Sequence, residues 1–163
     1  MRDIRKIGDP VLRTPAAPVT EFDRDLRRLI DEMFEAMYAA RGVGLAGPQI
    51  GVSRRLFVYD MEGGRKGHVI NPVLTVDDPE EVVDEEGCLS VVGRSGGTPL
   101  YAPTPRAAGV TVTGVDKLNR PIRIKARGGL ARCFQHETDH LDGKLYIDRL
   151  PREAARKVLL QVP

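Results

Sequence analysis

The sequence predicts an α+β fold in which mixed or antiparallel strands pack around a central helix carrying an H-E-x-x-H motif. Apolar residues recur at helical spacing in separate stretches and alternate at strand spacing in others. No regular strand–helix–strand repeat of the kind that builds a parallel sheet is present. The length, 163 residues, is that of one ordinary domain, so residues 1–163 are expected to fold as a single unit. With 41% hydrophobic and 29% charged residues and no low-complexity tract, the composition excludes a collagen-like repeat and a long coiled coil. Trp is absent and aromatics are 5%, which calls for an aliphatic core.

The opening stretch through Pro18 carries Pro10 and Pro15 as well, and reads as an ordered arm that wraps over the domain rather than as a helix. Phe22, Leu26, Leu29, Ile30, Met33 and Met37 then form the stripe of an amphipathic helix, with Thr20 as its expected N-cap and Gly42 as its stop. Four glycines in Gly42–Val52 read as a loop that lets another backbone or a ligand approach closely. Leu56–Tyr59 and Val69–Val76, the latter interrupted by Pro72, read as strands, as do Val110–Val115 and Ile122–Ile124 around a turn at Leu118–Arg120. Gly93–Pro105, rich in Gly, Pro and Ser, is expected to be a surface loop. Leu130–Leu141 reads as a helix ending at Gly143, and Arg152–Gln161 as a final helix led by Pro151.

Charge narrows the function classes only a little. Twenty-five Lys and Arg against 23 Asp and Glu leave +2, too little to imply a nucleic-acid or anionic-membrane surface. No segment has the roughly 18 consecutive apolar residues of a membrane span, and the basic start lacks the apolar run of a secretory signal. Two cysteines, Cys88 and Cys133, cannot make a disulfide framework, so a reducing compartment and a soluble, cytoplasmic protein are expected.

Of three histidines, His136 and His140 stand four residues apart in His136-Glu137-Thr138-Asp139-His140. On a helix this step brings both imidazoles to one face, where two neutral nitrogens can share a divalent metal. Glu137 leaves the helix about 100° from His136, placed to take a proton from water rather than to ligate. That is the division of labour in metal-assisted hydrolysis. The other reading is a polar helix face with two solvated histidines. A catalytic centre also wants a third ligand. Downstream of His140 there is no His and only Glu153, which an i,i+3 surface pair with Arg156 accounts for, and this weakens the reading as an ordinary zinc peptidase. Upstream, Cys88 can complete a Cys/His/His set suited to zinc or ferrous iron, or be a buried small hydrophobe.

Three segments together carry a resemblance. Gly42-Val43-Gly44-Leu45-Ala46-Gly47-Pro48-Gln49, Glu86-Gly87-Cys88-Leu89-Ser90 and Gln135-His136-Glu137-Thr138-Asp139-His140 resemble, in the right order, the three signature motifs of peptide deformylase. The arm segment Ile7–Arg13 and the ending Leu141-Asp142-Gly143 are also family-like, so the resemblance spans nearly the whole chain and implies one catalytic domain. It implies that Cys88, His136 and His140 hold the metal, ferrous iron in the family with zinc, nickel or cobalt as substitutes. It further implies that Glu137 moves the proton, that Gln49 and the Leu89 N–H stabilise the oxyanion, and that Gly44 lets the peptide lie alongside as an added strand. The substrate implied is the N-formylmethionyl nascent peptide and the products are formate and a free amine. Gln49 as a surface amide and Gly44 as a turn residue are the readings without the resemblance.

The chain departs from the family pattern at several places. Gly47 stands where Ala is common, and Val91-Val92-Gly93 replaces a Pro-Gly turn. Arg106 matches a family arginine near the substrate-binding surface, and a solvated surface arginine is the other reading. The methionine pocket is expected to be walled by Val43, Gly129, Arg132 and Cys133, and Gly129 replaces a larger side chain, which implies a wider pocket and weaker discrimination for methionine. Arg152, Arg156 and Lys157 on the final helix suit either a solvated face or a transient ribosome contact. A purely structural metal is the competing non-enzymatic class, and the adjacent Glu137 argues against it.

Overall fold

A computed structural model of the chain describes residues 2–163. Five strands form one antiparallel sheet in the order β1-β2-β3-β4-β5: β1 (Gly44–Ala46), β2 (Leu56–Met61), β3 (Arg65–Glu86), β4 (Ala102–Val115) and β5 (Pro121–Arg127). The helices are α1 (Arg24–Ala39), α2 (Gly128–Leu141) and α3 (Arg152–Leu159). The α+β class with antiparallel strands is as expected.

Strand alternation explains how the sheet serves two helices at once. Along β2, Leu56 and Val58 join the cluster built on the α1 residues Leu26, Ile30, Met33 and Met37. Phe57 and Tyr59, pointing the other way, join Leu130, Ala131 and Phe134 of α2. The sheet is therefore held between α1 on one face and α2 on the other. The arm lies over α2 and the loops: Leu12 and Ala16 are buried, and Ala16 N–H donates to Leu141 O at 2.9 Å.

Helix α1 keeps the predicted stripe from Leu26 to Met37, with Phe22 lying ahead of it, but neither predicted end. Its N-cap is Asp23, whose carboxylate accepts from Leu26 N–H at 3.0 Å, and Thr20 lies outside the helix. At the other end Gly42 N–H reaches Met37 O and Arg41 N–H reaches Tyr38 O, so Arg41, at φ 58°, takes the left-handed position expected of the glycine. Asp23→Ala is expected to cost about 1 kcal/mol, read as a lowered urea midpoint, whereas Thr20→Ala leaves the midpoint unchanged.

Four other boundaries are corrected. The glycine-rich stretch after α1 is not all loop: Gly44–Ala46 pairs with Phe57–Tyr59 of β2, and Gly47–Ile50 makes a 3₁₀ turn. The strand read over Val69–Val76 continues to Glu86, with register shifts near Pro72 and Pro79. Its partner is the stretch 102–105, assigned from sequence to a surface loop, through pairs such as Glu86↔Ala102 and Asp84↔Thr104. Pro103 and Pro105 fit a strand there because β5 pairs only with Gly109–Val115, leaving that end of β4 an edge where a missing N–H goes unneeded. The final helix stops at Leu159 instead of Gln161.

Candidate active site

The cluster is assembled from three segments brought to one face of α2. Helical repeat places Arg132, His136 and His140 in one row and Gly129, Cys133 and Glu137 in the next. The β3 end delivers Glu86, and the turn after it delivers Cys88 and Leu89. The 3₁₀ turn after β1 delivers Gln49. The arm ties the last two segments together: Arg5 N–H donates to Gln49 O at 2.7 Å, Ile7 N–H to Ser90 O at 2.8 Å, and Lys6 Nζ to Leu89 O at 3.0 Å.

Cys88, His136 and His140 are all buried, and their ligand atoms lie within 4.8 Å of one another. His140 Nε2 stands 3.2 Å from His136 Nε2 and 3.4 Å from Cys88 Sγ. Tetrahedral bonds of about 2.0–2.1 Å to nitrogen and about 2.3 Å to sulfur put such donors about 3.3 and 3.6 Å apart, so the three atoms fit three corners around one metal ion. The orientation of His136 is fixed from behind, because its Nδ1 meets Glu86 Oε2 at 2.7 Å, which leaves Nε2 for the centre. Burial draws the His136 pKa down, yet the Glu137 charge and the bonds to Cys88 and Glu86 hold it well above its ordinary value. His140 beside it is held well below its ordinary value by burial and the His136 charge, so its imidazole is the neutral one of the pair.

Glu137 is 4% exposed and its Oε1 has no hydrogen-bond partner among the described residues. Burial, with the neighbouring Glu86 and Asp139 charges, pushes its carboxyl up to about 7 against the pull of His136. A carboxylate poised near neutrality can accept a proton and return it. Gln49, 1% exposed, is no surface amide. Its Oε1 accepts from Ala46 N–H at 3.0 Å, which turns Nε2 toward Ser90 Oγ at 3.1 Å and Cys88 Sγ at 3.6 Å. A cavity of about 680 Å³ opens onto this group and is lined by Val43, Gly44, Leu89, Gly129, Arg132 and Cys133 among others. Gly44 is a tight spot: a Cβ there would lie 2.5 Å from Glu137 Oε2 and 3.0 Å from Cys133 Sγ. Gly44→Ala is therefore expected to displace the carboxylate and lower kcat/KM about 10–100-fold in a formate-release assay, with the thermal midpoint little changed.

With this geometry in view, comparison with known proteins is direct. The polypeptide deformylase family model matches residues 1–156. The chain belongs to the polypeptide deformylase family. A peptide deformylase of Acidothermus cellulolyticus is 51% identical over 153 residues, covering 94% of this chain and 81% of the relative. One from a Parafrankia species is 48% identical over 159 residues, covering 98% and 84%. The crystal structure of a Legionella pneumophila peptide deformylase superposes with a TM-score of 0.89 at 42% identity, covering 99% of this chain and 92% of that one. That of Synechococcus elongatus, in complex with actinonin, gives 0.89 at 39% identity, covering 97% and 85%.

Against the deformylase resemblance one placement is corrected. Arg106 is not on the substrate surface: it is 5% exposed and does not line the cavity of the cluster. Its guanidinium gives two bonds to Glu86, at 2.6 and 3.1 Å, and one to Asp139 at 2.7 Å, with Arg149 on the far side of Asp139. The bond to His136 and then those from Arg106 hold the Glu86 carboxyl well below the usual carboxylate range although burial alone would raise it. Arg132 does line the cavity, but its guanidinium is fastened to Glu86, Thr104 O and Val82 O. Sequence reasoning missed Glu86, Asp139 and Arg149 as the support of the histidines. The usable signal was chemical, since a metal-binding imidazole needs a partner for its second nitrogen. It also missed Met61, whose Cε lies 3.2 Å from where a Cβ of Gly129 would stand. A larger cavity of about 920 Å³, on the other side of α2 beside Val73 and Arg149, is lined by none of Cys88, His136 and His140.

Proposed function

We propose that this deformylase site removes the formyl group from N-formylmethionyl nascent peptides, with Cys88, His136 and His140 holding one divalent metal, Fe2+ in preference to Zn2+, Ni2+ or Co2+. The observation that carries the reading is the convergence of these three donors beside a buried, unpaired Glu137. When bound, the metal supplies Lewis acidity and a water of lowered pKa. Glu137 takes the proton of the attacking water and passes it to the departing amine, so that the C–N bond breaks to formate and a free N-terminus. Gln49 Nε2 and the Leu89 N–H donate to the oxygen on which charge develops, held in advance by the arm and by Ala46. Val43 and Gly44, at the open edge of β1, align the peptide backbone as an added strand.

The 163 residues act as one catalytic domain, placed in the cytoplasm where new chains emerge; no helix among the described residues is long and apolar enough to cross a membrane. Exposed Arg152, Arg156 and Lys157 on α3, one of them paired with Glu153 at 3.9 Å, support a transient ribosome contact, to be read as salt-sensitive co-sedimentation. The test of the reaction is formate release from formyl-Met-Ala-Ser by anaerobically purified protein. Release is expected to vanish on chelation and to return most fully with ferrous iron. No release from metal-loaded protein overturns the reading.

A further inference from the structure

Gly129 leaves a gap in the wall of the cavity, and the fold fills it from another element. Strand alternation that turns Phe57 and Tyr59 toward α2 turns Met61 the same way, two residues further on. Met61 is half-buried, packs against the core shared with α2, and lines the cavity with its Cε over Gly129.

Distances along α2 say what this side chain meets. Glu137, Cys133 and Gly129 follow one another at one-turn steps, so Cys133 lies about 6 Å and Gly129 about 12 Å from Glu137 along the axis. An extended methionine reaches about 7 Å from formyl carbon to terminal methyl. A substrate with its formyl group at Glu137 and its side chain along this row therefore ends between Cys133 and Gly129, against the Met61 thioether. The walls there suit an apolar chain: burial and the Glu137 charge push the Cys133 thiol well up, so it stays neutral. The cavity is also lined by Asp84, Glu85 and Glu86.

We propose that Met61 closes the side-chain pocket and sets the length of the first residue this site accepts, in the place a side chain at position 129 would otherwise occupy. The inference rests on the deformylase reading. A flexible thioether is an end wall that yields to shape, so its size and not only its polarity governs selection.

The experiment compares wild type, Met61→Ala and Met61→Phe on formyl-X-Ala-Ser peptides with X = Met, Phe or Ala. Met61→Ala is expected to raise the Phe-to-Met ratio of kcat/KM about tenfold, and Met61→Phe to lower the Met-to-Ala ratio by a similar factor. Dissociation constants of the products Met-Ala-Ser and Phe-Ala-Ser are expected to shift in parallel, which reads the pocket without the chemistry. Ratios within about twofold of wild type in both variants overturn the proposal. Absence of formate release by the wild-type chain overturns the deformylase reading and the inference with it, whereas release with unmoved ratios overturns the inference alone.

Discussion

Glu137→Gln is expected to lower kcat by about 10²–10⁴-fold while the metal stays bound, because only a group that can gain and lose a proton serves both halves of the transfer. Metal content measured alongside formate release separates this from loss of a ligand. The amide nearly matches the carboxylate in shape, so the cavity and Gly44 need not move. The same substitution is expected to stabilise the metal-free protein. In the fold Glu137 is buried and its pKa stands at about 7, against an ordinary value of 4.5. Between these values the folded state keeps a proton that the unfolded chain has released. Stability from this group is therefore full below about pH 4.5, falls as the pH rises toward 7, and is flat above. Removing the acid recovers up to about 3 kcal/mol at and above neutrality. A pH series of urea midpoints on chelated protein is the check, and equal midpoints for wild type and variant at pH 8 would contradict the burial argument.

Arg106→Ala is expected to be the most destabilising single change in the support of the site. It strips Glu86 and Asp139 of their shared partner where both are at least nine-tenths buried. Breaking a buried pair of this kind costs about 3–5 kcal/mol, which lowers the melting temperature of a chain this size by about 10 °C. Function suffers by a separate route. Glu86 keeps Arg132 and His136 as partners but loses the fork that sets its angle, so metal affinity is expected to fall about 10–100-fold. Arg106→Lys recovers little, since a single ammonium cannot serve the two carboxylates that the planar fork bridges. Calorimetry and chelator competition report the two effects independently; unchanged metal affinity in a destabilised variant would leave Arg106 a purely structural residue.

Legibility followed the range of the interactions involved. Helix α2 and the H-E-x-x-H row were readable because the i,i+4 step alone fixes which side chains share a face. The stripe of α1 was readable for the same reason, while its caps were not. Asp23 and Thr20 are both competent caps, and which one serves depends on where the chain enters from the arm. The acidic run Asp77–Glu86 shows no alternation because most of its side chains are exposed, so nothing in its pattern marks a strand. It is a strand because β4 pairs with it over residues that themselves read as loop.

The sequence by itself determined the class of fold and the family, and it offered His136, His140 and Glu137 as candidate site residues through short spacing and Cys88 through the resemblance of its motif. Only the tertiary structure decided what surrounds them. Arg106 reads in sequence as a surface arginine and in the fold as the buried link between Glu86 and Asp139, because a charge's role depends on which opposite charges burial brings beside it. Gly129 likewise reads as a gap and proves to be filled, because a cavity wall is made by whichever strand lies across from it, and Met61 is 68 residues away along the chain.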